Sequence, residues 1–205
     1  MPKGFEAGAI APWYVSPAPP SRVLLLAAIE EFSMPLVILT GASGAGKTTI
    51  AEAIERVHSQ EIDVFYKDRI GVPSVREMAD KFGSVEEWQR AATFEWMARL
   101  SPLLAQGRSV LFEGQSRFSF LAEATEHAGI ESYTSILIDC DDETRTKRLS
   151  IDRGQPDLVS ADMMNWASFL RNEASVCGCE ILDTSNLTLE QGVERILREL
   201  RRQHV

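Results

Sequence analysis

The sequence predicts an α/β fold in which helices cover both faces of a parallel sheet. Two observations lead to this prediction. From Met34 onward, short apolar runs typical of buried strands alternate with longer segments of helical periodicity. The first apolar run, residues 36–39, passes directly into a glycine-rich segment and then into a helical pattern that begins near Lys47. We therefore expect one α/β domain over residues 34–205.

The glycine-rich segment fits the phosphate-binding pattern G-x-x-x-x-G-K-[ST]. Glycine permits the positive φ angles of such a loop and lets backbone N–H groups approach phosphate oxygens. We expect Lys47 to contact the β- and γ-phosphates and to act in catalysis, and the Thr48 hydroxyl to bind Mg²⁺. The residues predicted to bind the nucleotide here, called the phosphate loop below, are Gly41, Ala42, Ser43, Gly44, Ala45, Gly46, Lys47, Thr48 and Thr49.

The first apolar run predicts a strand at about residues 36–40, and four further strands are predicted, each from a short apolar run. They cover residues 62–66, 109–113, 135–139 and 180–182. Ligands of open α/β sheets bind beyond the carboxyl ends of the strands. The polar residues that follow each strand are therefore the candidates for chemistry.

Helices are predicted for most of the intervals between strands. The helix after the phosphate loop should bury an apolar stripe that runs from Ile50 to Val57. The segments 84–87 and 188–191 have the form of a capping box and predict two helix starts. Pro102 is expected to kink or end the helix that begins near residue 84.

Asp68 follows the second strand, directly after Lys67 and before Arg69. A carboxylate at this edge would face the γ-phosphate and could orient or deprotonate an acceptor hydroxyl, so Asp68 is the predicted catalytic base and substrate contact. The alternative interpretation is a turn residue or an ion pair with Lys67 or Arg69.

The third strand ends in Glu113, which is followed after Gly114 by Arg117. A carboxylate at the end of an apolar strand beside a phosphate loop can hold Mg²⁺, so Glu113 is the second predicted metal ligand. Arg117 is predicted to bind the substrate, because a guanidinium group can hold an oxyanion in a bidentate way. An ordinary strand-ending carboxylate is the alternative for Glu113.

After the fourth strand, an acidic helix start is followed by basic residues and a Gly/Pro loop over about residues 153–160. This arrangement is typical of a lid that brings arginines onto transferring phosphates, and we expect Arg148 and Arg153 to have that catalytic role. Arg145 is assigned equally to that role and to a solvated helix. After the last strand, Thr184 and Ser185 either contact the nucleotide base or form a turn.

These motifs, taken in order, resemble the nucleoside-monophosphate-kinase-like group of P-loop kinases over residues 34–205. The resemblance implies a three-layer P-loop NTPase sandwich with a five-stranded parallel sheet of order 2-3-1-4-5 and a short lid. It also implies ATP with Mg²⁺ as cofactors, and an acceptor-binding insertion at about residues 70–106. The usual D-G-x-P-R segment is replaced by residues 113–117, E-G-Q-S-R. With the single acid at Asp68, the chain is more similar to the small-molecule kinases of the group, such as gluconate, shikimate or antibiotic-modifying kinases.

The composition of the chain limits the binding partners and the cellular location that we expect. The chain has 205 residues and a formal net charge of −9, which disfavours a general nucleic-acid binder. No apolar run approaches the roughly 20 residues that span a bilayer, so we expect no membrane partner and a cytoplasmic location. The three cysteines lack a disulfide or zinc spacing and are expected to be reduced. Residues 1–33 are rich in proline near their start and are expected to form a partly flexible extension, with a docking helix near residues 21–32.

The leading functional hypothesis is an ATP-dependent kinase that phosphorylates a hydroxyl group of a small molecule. The alternatives are a nucleotide-binding switch that has no small-molecule acceptor, and a nucleotide or polynucleotide kinase. Asp68 and the clustered lid arginines favour the first hypothesis.

Overall fold

The computed structural model describes residues 36–202, which form five strands and seven α-helices. The strands are β1 (Leu36–Thr40), β2 (Ile62–Tyr66), β3 (Ser109–Glu113), β4 (Tyr133–Asp139) and β5 (Glu180–Asp183). The helices are α1 (Lys47–His58), α2 (Val75–Phe82), α3 (Val85–Ala105), α4 (Phe118–His127), α5 (Asp142–Lys147), α6 (Ala161–Cys177) and α7 (Leu189–Leu200). Short 3₁₀ turns cover Lys67–Ile70 and Pro156–Leu158, and a π-helical turn covers Arg148–Asp152.

The five strands form one parallel sheet of order β2-β3-β1-β4-β5. This order confirms the predicted fold class and strand order. The strand β4 begins at Tyr133, two residues earlier than expected, because Leu36 at the start of β1 pairs with Tyr133 on one side and with Val110 on the other. The carboxyl ends of β1, β2 and β3 therefore lie side by side, where the predicted functional residues follow them.

Helices cover both faces of the sheet, and the alternation of residues along β1 shows how. Val37 and Leu39 belong to the core that α1 and α7 bury on one face. Leu36 and Ile38 belong to the core on the other face, beneath α3 and α4. Every one of these β1 side chains is inaccessible to solvent, as expected for a central parallel strand. The three-layer arrangement is thus confirmed.

Helix starts follow the predicted capping chemistry with one difference. At the start of α7, the Thr188 hydroxyl accepts the backbone N–H of Gln191, and the Gln191 side chain accepts that of Thr188. At the start of α3, the Ser84 hydroxyl accepts the N–H of Glu87, but the reciprocal half of the box is missing. The start of each helix lies where it was predicted.

The prediction for Val57 was wrong, and of the two outcomes predicted at Pro102 the helix end is excluded. The side chain of Val57 is 68% exposed, because the buried stripe of α1 continues from Ile54 to the partly buried His58 instead. Helix α3 does not end at Pro102 but continues to Ala105. Only three residues of the helix follow the proline, so its missing N–H removes a single hydrogen bond near the helix end.

The predicted N-terminal extension, residues 1–33, lies outside the described residues, as do the two outer boundaries predicted for the domain. The predicted insertion at residues 70–106 contains α2 and α3, and the predicted lid at residues 153–160 contains the second 3₁₀ turn. Within residues 36–202, the structure has no helix that is both long enough and apolar enough to cross a membrane.

Candidate functional site

The phosphate loop connects β1 to α1 at the carboxyl edge of the sheet. Its backbone requires glycine at several positions, since Gly44 and Gly46 have φ angles of 80° and 98°. At Gly41 a Cβ atom would lie only 2.1 Å from the backbone oxygen of Ile138 on β4. The loop therefore packs against the neighbouring strand at one end and opens into the first turn of α1 at the other. A helix N-terminus with unpaired N–H groups is a binding site for phosphate oxygens.

Arg145 supports the phosphate loop from behind. Its side chain is fully buried, and one guanidinium nitrogen donates to the carbonyl oxygen of Ser43 at 2.7 Å. A second nitrogen donates to the Asp139 carboxylate at 2.6 Å, and Arg171 donates to the other oxygen of that carboxylate at 2.6 Å. Of its two interpretations, the structure supports neither a lid contact nor a solvated face, because Arg145 is an internal support of the loop.

Arg148 and Thr184 also hold the phosphate loop through hydrogen bonds. One guanidinium nitrogen of Arg148 donates to the Thr184 hydroxyl at 2.8 Å and to the carbonyl oxygen of Ala45 at 3.3 Å. The Thr184 hydroxyl can donate to the Ala45 carbonyl at 2.8 Å or to that of Asp139 at 3.0 Å. The Ser185 hydroxyl donates to Asp183 at 2.6 Å. The Thr184 hydroxyl thus forms hydrogen bonds that hold the loop, and the Ser185 hydroxyl stabilises a turn.

Lys47, Thr48 and Glu113 converge where the loop meets β3. The Thr48 hydroxyl donates to a Glu113 carboxylate oxygen at 3.3 Å, and the Lys47 ammonium group lies 3.9 Å from the same oxygen. Burial lowers the pKa of Lys47 and raises the pKa of Glu113, while the attraction between the two charges opposes both shifts. Each of these two charged groups is therefore stabilised mainly by the other. A phosphate beside Lys47, or a cation beside Glu113, would further offset the cost of burying the charge.

The donor set fits a magnesium ion. Mg²⁺ prefers oxygen ligands and is commonly held by one or two protein oxygens together with substrate phosphates. The Thr48 hydroxyl and the Glu113 carboxylate supply two such oxygens in one place. Among residues 36–202 no group of three or more His, Cys, Asp and Glu residues could hold a metal by itself. Thr48 and Glu113 would thus hold Mg²⁺ only together with a bound nucleotide.

A cavity of about 470 Å³ opens in front of the phosphate loop. Arg148, Asp152 and Arg153 line one wall, and the segment from Leu187 to Leu189 lines another. The structure therefore brings both predicted lid arginines to the loop. Its lining also includes, from the predicted nucleotide contacts, Gly44, Gly46, Lys47, Thr48, Thr49 and Thr184.

Asp68 lies in the 3₁₀ turn after β2, with an exposed side chain. Tyr66, two residues before Asp68, pairs with Glu113 in the sheet, and the negative charge of Asp68 helps to raise the pKa of both Lys47 and Glu113. In the described part of the chain Asp68 forms no ion pair. Its neighbour Arg69 pairs instead with Glu55 at 3.6 Å and stacks on the ring of Tyr66. Of the two alternative interpretations, the ion pair with Lys67 or Arg69 is not what the structure shows. The turn is present, since the Asp68 carbonyl oxygen accepts the backbone N–H of Gly71 at 3.1 Å.

One known protein family matches a large part of this chain. A family model described as an AAA domain matches residues 37–165, from β1 through the predicted lid. The match covers more than half of the chain. The chain belongs to the AAA domain family. No curated protein sequence matches the chain.

Solved structures share the fold at low sequence identity. A sugar kinase from Janibacter sp. HTCC2649 is 21% identical with a TM-score of 0.62, and the match covers 82% of this chain and 94% of that one. A gluconokinase from Sinorhizobium meliloti 1021 is 17% identical with a TM-score of 0.57, covering 82% and 92%. A shikimate kinase from Acinetobacter baumannii in complex with shikimate is 16% identical with a TM-score of 0.54, covering 83% and 95%. The predicted resemblance to P-loop kinases is therefore confirmed.

Arg117, the predicted substrate contact, lies at the start of α4 between two other helices. It pairs with Glu86 of α3 at 2.7 Å, and its guanidinium group lies over the rings of Phe120, Trp166 and Phe169. Its Nε atom is buried without a hydrogen-bond partner. The cavity in front of the phosphate loop does not include Arg117 or Asp68 among its described lining residues. The structure thus places Arg117 apart from the nucleotide side of the site.

Sequence reasoning missed Lys67 as a site residue. Its side chain is 2% exposed and donates to four oxygens of α3 and of the loop after β3. Burial lowers its pKa from 10.5 to about 7, although the charge of Asp68 opposes the shift. The available signal was its position directly after an apolar strand, but lysines are almost never fully buried, so exposure was the natural expectation.

Proposed function

We propose that the chain is an ATP-dependent phosphotransferase that moves the γ-phosphate of ATP to a hydroxyl group of a small molecule. The observation that carries the proposal is the position of Asp68. It is an exposed carboxylate just beyond the carboxyl end of β2, where Tyr66 pairs with Glu113, and it has no ion-pair partner among residues 36–202. Its negative charge acts on both Lys47 and Glu113. A carboxylate in that place can accept a proton from an acceptor hydroxyl beside the terminal phosphate.

On this proposal, the nucleotide side is assigned as follows. The backbone of the phosphate loop and the Lys47 ammonium group bind the phosphates of ATP. Thr48 and Glu113 would hold Mg²⁺, which would supply positive charge beside the phosphates. Arg148 and Arg153, on the cavity wall, neutralise charge on the transferring group. Thr184 keeps the loop and Arg148 in register through its hydroxyl.

In the transfer step, the acceptor hydroxyl oxygen attacks the γ-phosphorus and its proton moves to the Asp68 carboxylate. The bond between the γ-phosphorus and the bridging oxygen breaks, and ADP carries that oxygen away. Positioning and charge neutralisation supply most of the rate enhancement in such reactions. Asp68 is therefore needed for the step but makes no contribution to nucleotide binding.

Two observations support a small hydroxylated molecule as the acceptor. The net charge of −9 disfavours a polynucleotide acceptor. Neighbouring structures named as sugar kinase, gluconokinase and shikimate kinase favour a small hydroxylated molecule. The insertion that holds α2 and α3 is proposed to bind it, with Arg117 as a contact for an anionic or polar group.

The test is the variant Asp68→Asn, measured by ADP release over a library of metabolites and antibiotics. We expect an acceptor-stimulated rate in the wild type that falls roughly 10²- to 10⁴-fold in the variant, the range typical for loss of a general base. The dissociation constant for ATP should stay within about twofold.

A matched control is Asp63→Asn, because Asp63 lies near the other end of β2 and pairs with Arg108 at the surface. It should keep the full transfer rate. Nucleotide binding without any acceptor-stimulated turnover would favour a nucleotide-binding switch, and transfer to 5′-hydroxyl oligonucleotides would favour a polynucleotide kinase.

A further inference from the structure

Lys67 is a buried cation that the assignments above do not use. It is the residue between the end of β2 and Asp68, and its side chain is 2% exposed. Burying an ammonium group is costly unless hydrogen bonds replace its water shell. An apolar side chain of similar length would fill the same space at a lower cost. The contacts of Lys67 therefore need an explanation beyond packing.

The ammonium group of Lys67 joins two separate segments. It donates to the hydroxyl of Thr93 at 2.9 Å and to the carbonyl oxygen of Gln89 at 3.3 Å, both on α3 of the insertion. It also donates to the hydroxyl of Ser116 at 2.6 Å and to the carbonyl oxygen of Gln115 at 3.3 Å, in the loop after β3. Its three N–H groups are thus shared among four neutral oxygens.

The backbone of Lys67 is held as well. Its carbonyl oxygen accepts the indole N–H of Trp96, on α3, at 3.2 Å. On the side of β3, a Cβ atom at Gly114 would lie 2.3 Å from the Cβ atom of Lys67, so only glycine leaves room for this side chain. Residue 67 is therefore fixed through its main chain and its side chain together, directly before Asp68.

The same network extends to the phosphate loop. The hydroxyl of Thr40, the residue before Gly41, donates to the carbonyl oxygen of Ser116 at 2.6 Å and accepts the Ser116 backbone N–H at 3.0 Å. Ser116 in turn accepts from Lys67. A continuous chain of hydrogen bonds thus runs from the strand that carries the phosphate loop, through Lys67, to the insertion.

We propose that Lys67 is a positioning residue for phosphoryl transfer: it fixes Asp68 at the carboxyl edge of the sheet by tying the insertion helix α3 to the ends of β1, β2 and β3. The proposal rests on the proposed function, because it takes Asp68 as the proton acceptor. Lys67 itself contacts no substrate. Its effect on the rate is exerted through Asp68, since small displacements of a catalytic group reduce the rate strongly.

The test uses Lys67→Met, which keeps the length of the side chain and removes the ammonium group. The reaction measured is ATP hydrolysis with Mg²⁺ and with water as the acceptor, which requires no knowledge of the natural acceptor. We expect the rate to fall at least about tenfold while the dissociation constant for ATP changes by less than about twofold. Lys81→Met is the matched control, because Lys81 is exposed on α2, and it should keep the wild-type rate.

A double variant separates a positioning role from a structural one. If Lys67 acts through Asp68, Lys67→Met added to Asp68→Asn should lower the rate no further than Asp68→Asn alone. Multiplying effects, a full rate in Lys67→Met, or losses of rate and ATP affinity that track a lower melting temperature would overturn the proposal.

A milder variant covers the case in which Lys67→Met does not fold. Thr93→Val removes one oxygen that the ammonium group contacts and leaves Lys67 in place, and we expect a several-fold lower rate at unchanged ATP affinity. A wild-type rate in this variant would contradict the proposal. Failure of the proposed function gives a different result, namely a wild-type protein that does not turn over ATP or an Asp68→Asn variant with full activity.

Discussion

The phosphate loop and the acceptor side of the site differ in how far contacts within the protein hold them in place. Around the loop, the carbonyl oxygens of Ala42, Ser43, Gly44 and Ala45 all accept hydrogen bonds from side chains. On the acceptor side, Asp68 is exposed and the segment that follows it exposes apolar side chains. These are Ile70, Val72, Val75, Phe82 and Val85.

The difference has a chemical reason. Phosphates are the same in every nucleotide, so a fixed cradle of donors lowers the cost of binding them. Acceptors differ from one small-molecule kinase to another, and their binding surface varies with them. We infer that the loop is complete before ligand binding, whereas the acceptor side is anchored mainly at Lys67 and is completed by the acceptor.

The largest effect is expected when the positive charge of Lys47 is removed from the phosphate loop. Lys47→Met should lower the rate of phosphoryl transfer roughly 10³-fold and also weaken ATP binding, because the lysine contacts phosphates in both states. Rate and affinity are measured together by turnover and by nucleotide titration. Lys147→Met, at an exposed position on α5, is the control. A loss of rate without any loss of affinity would contradict the assignment.

The next effect concerns the support behind the loop. Arg145→Met leaves the buried carboxylate of Asp139, 5% exposed, without its buried partner, and should lower the free energy of unfolding by about 3–5 kcal/mol. Arg171→Met removes the other, partly exposed partner of Asp139 and should cost about 1 kcal/mol or less. Urea denaturation compares the two variants, and equal losses would show that Arg145 is not a special support.

The anchor of the acceptor side should respond to pH. The pKa of Lys67 is about 7 in the folded protein and 10.5 when unfolded, so between these values the unfolded chain binds more protons. Stability from this group therefore rises with pH between about 7 and 10.5, by up to about 1.4 kcal/mol per pH unit, and is constant below and above that range. The measurement is the free energy of unfolding of the wild type minus that of Lys67→Met. A difference that falls with rising pH would mean that the surrounding oxygens stabilise the ammonium form.

The smallest effect is expected on the exposed apolar surface of the insertion. Val75→Ser, at the first position of α2, should change the free energy of unfolding by no more than about 0.5 kcal/mol, because the side chain is 69% exposed. Its effect should instead appear in the Michaelis constant for the acceptor. Val176→Ser, on α6, is a control whose side chain is 79% exposed, and it should alter neither quantity. A large loss of stability in Val75→Ser would show that this surface is packed rather than open.

Much of the fold could be predicted from local pattern. The strands at residues 36–40, 62–66 and 109–113 match the structure residue by residue, because short segments rich in apolar and β-branched or aromatic residues favour strands. Sequence spacing also brought Lys47, Thr48 and Glu113 together correctly, since the ends of parallel strands meet at one edge. Local pattern was misleading for Val57, which is apolar but exposed. Which residues of α1 are buried depends on how the helix is oriented against the sheet.

The polar residues around the loop were harder to assign. Arg145 and Arg148 are three residues apart in one basic segment, yet one is enclosed beneath the loop and the other lies on the cavity wall. Arg117 was expected at the acceptor and pairs with Glu86 among aromatic rings. Long cationic side chains reach many neighbours, so their partners depend on helix positions that no local pattern specifies.

The sheet, the phosphate loop and the nucleotide that the loop implies follow from local patterns of residues, because glycine geometry and apolar periodicity are local properties of the chain. Which charges are buried, and which segments they join, depends on how the chain folds. Lys67 shows the reason, since its four acceptors come from residues 22 to 49 positions away. The free energy of a buried charge depends on partners that folding alone brings together.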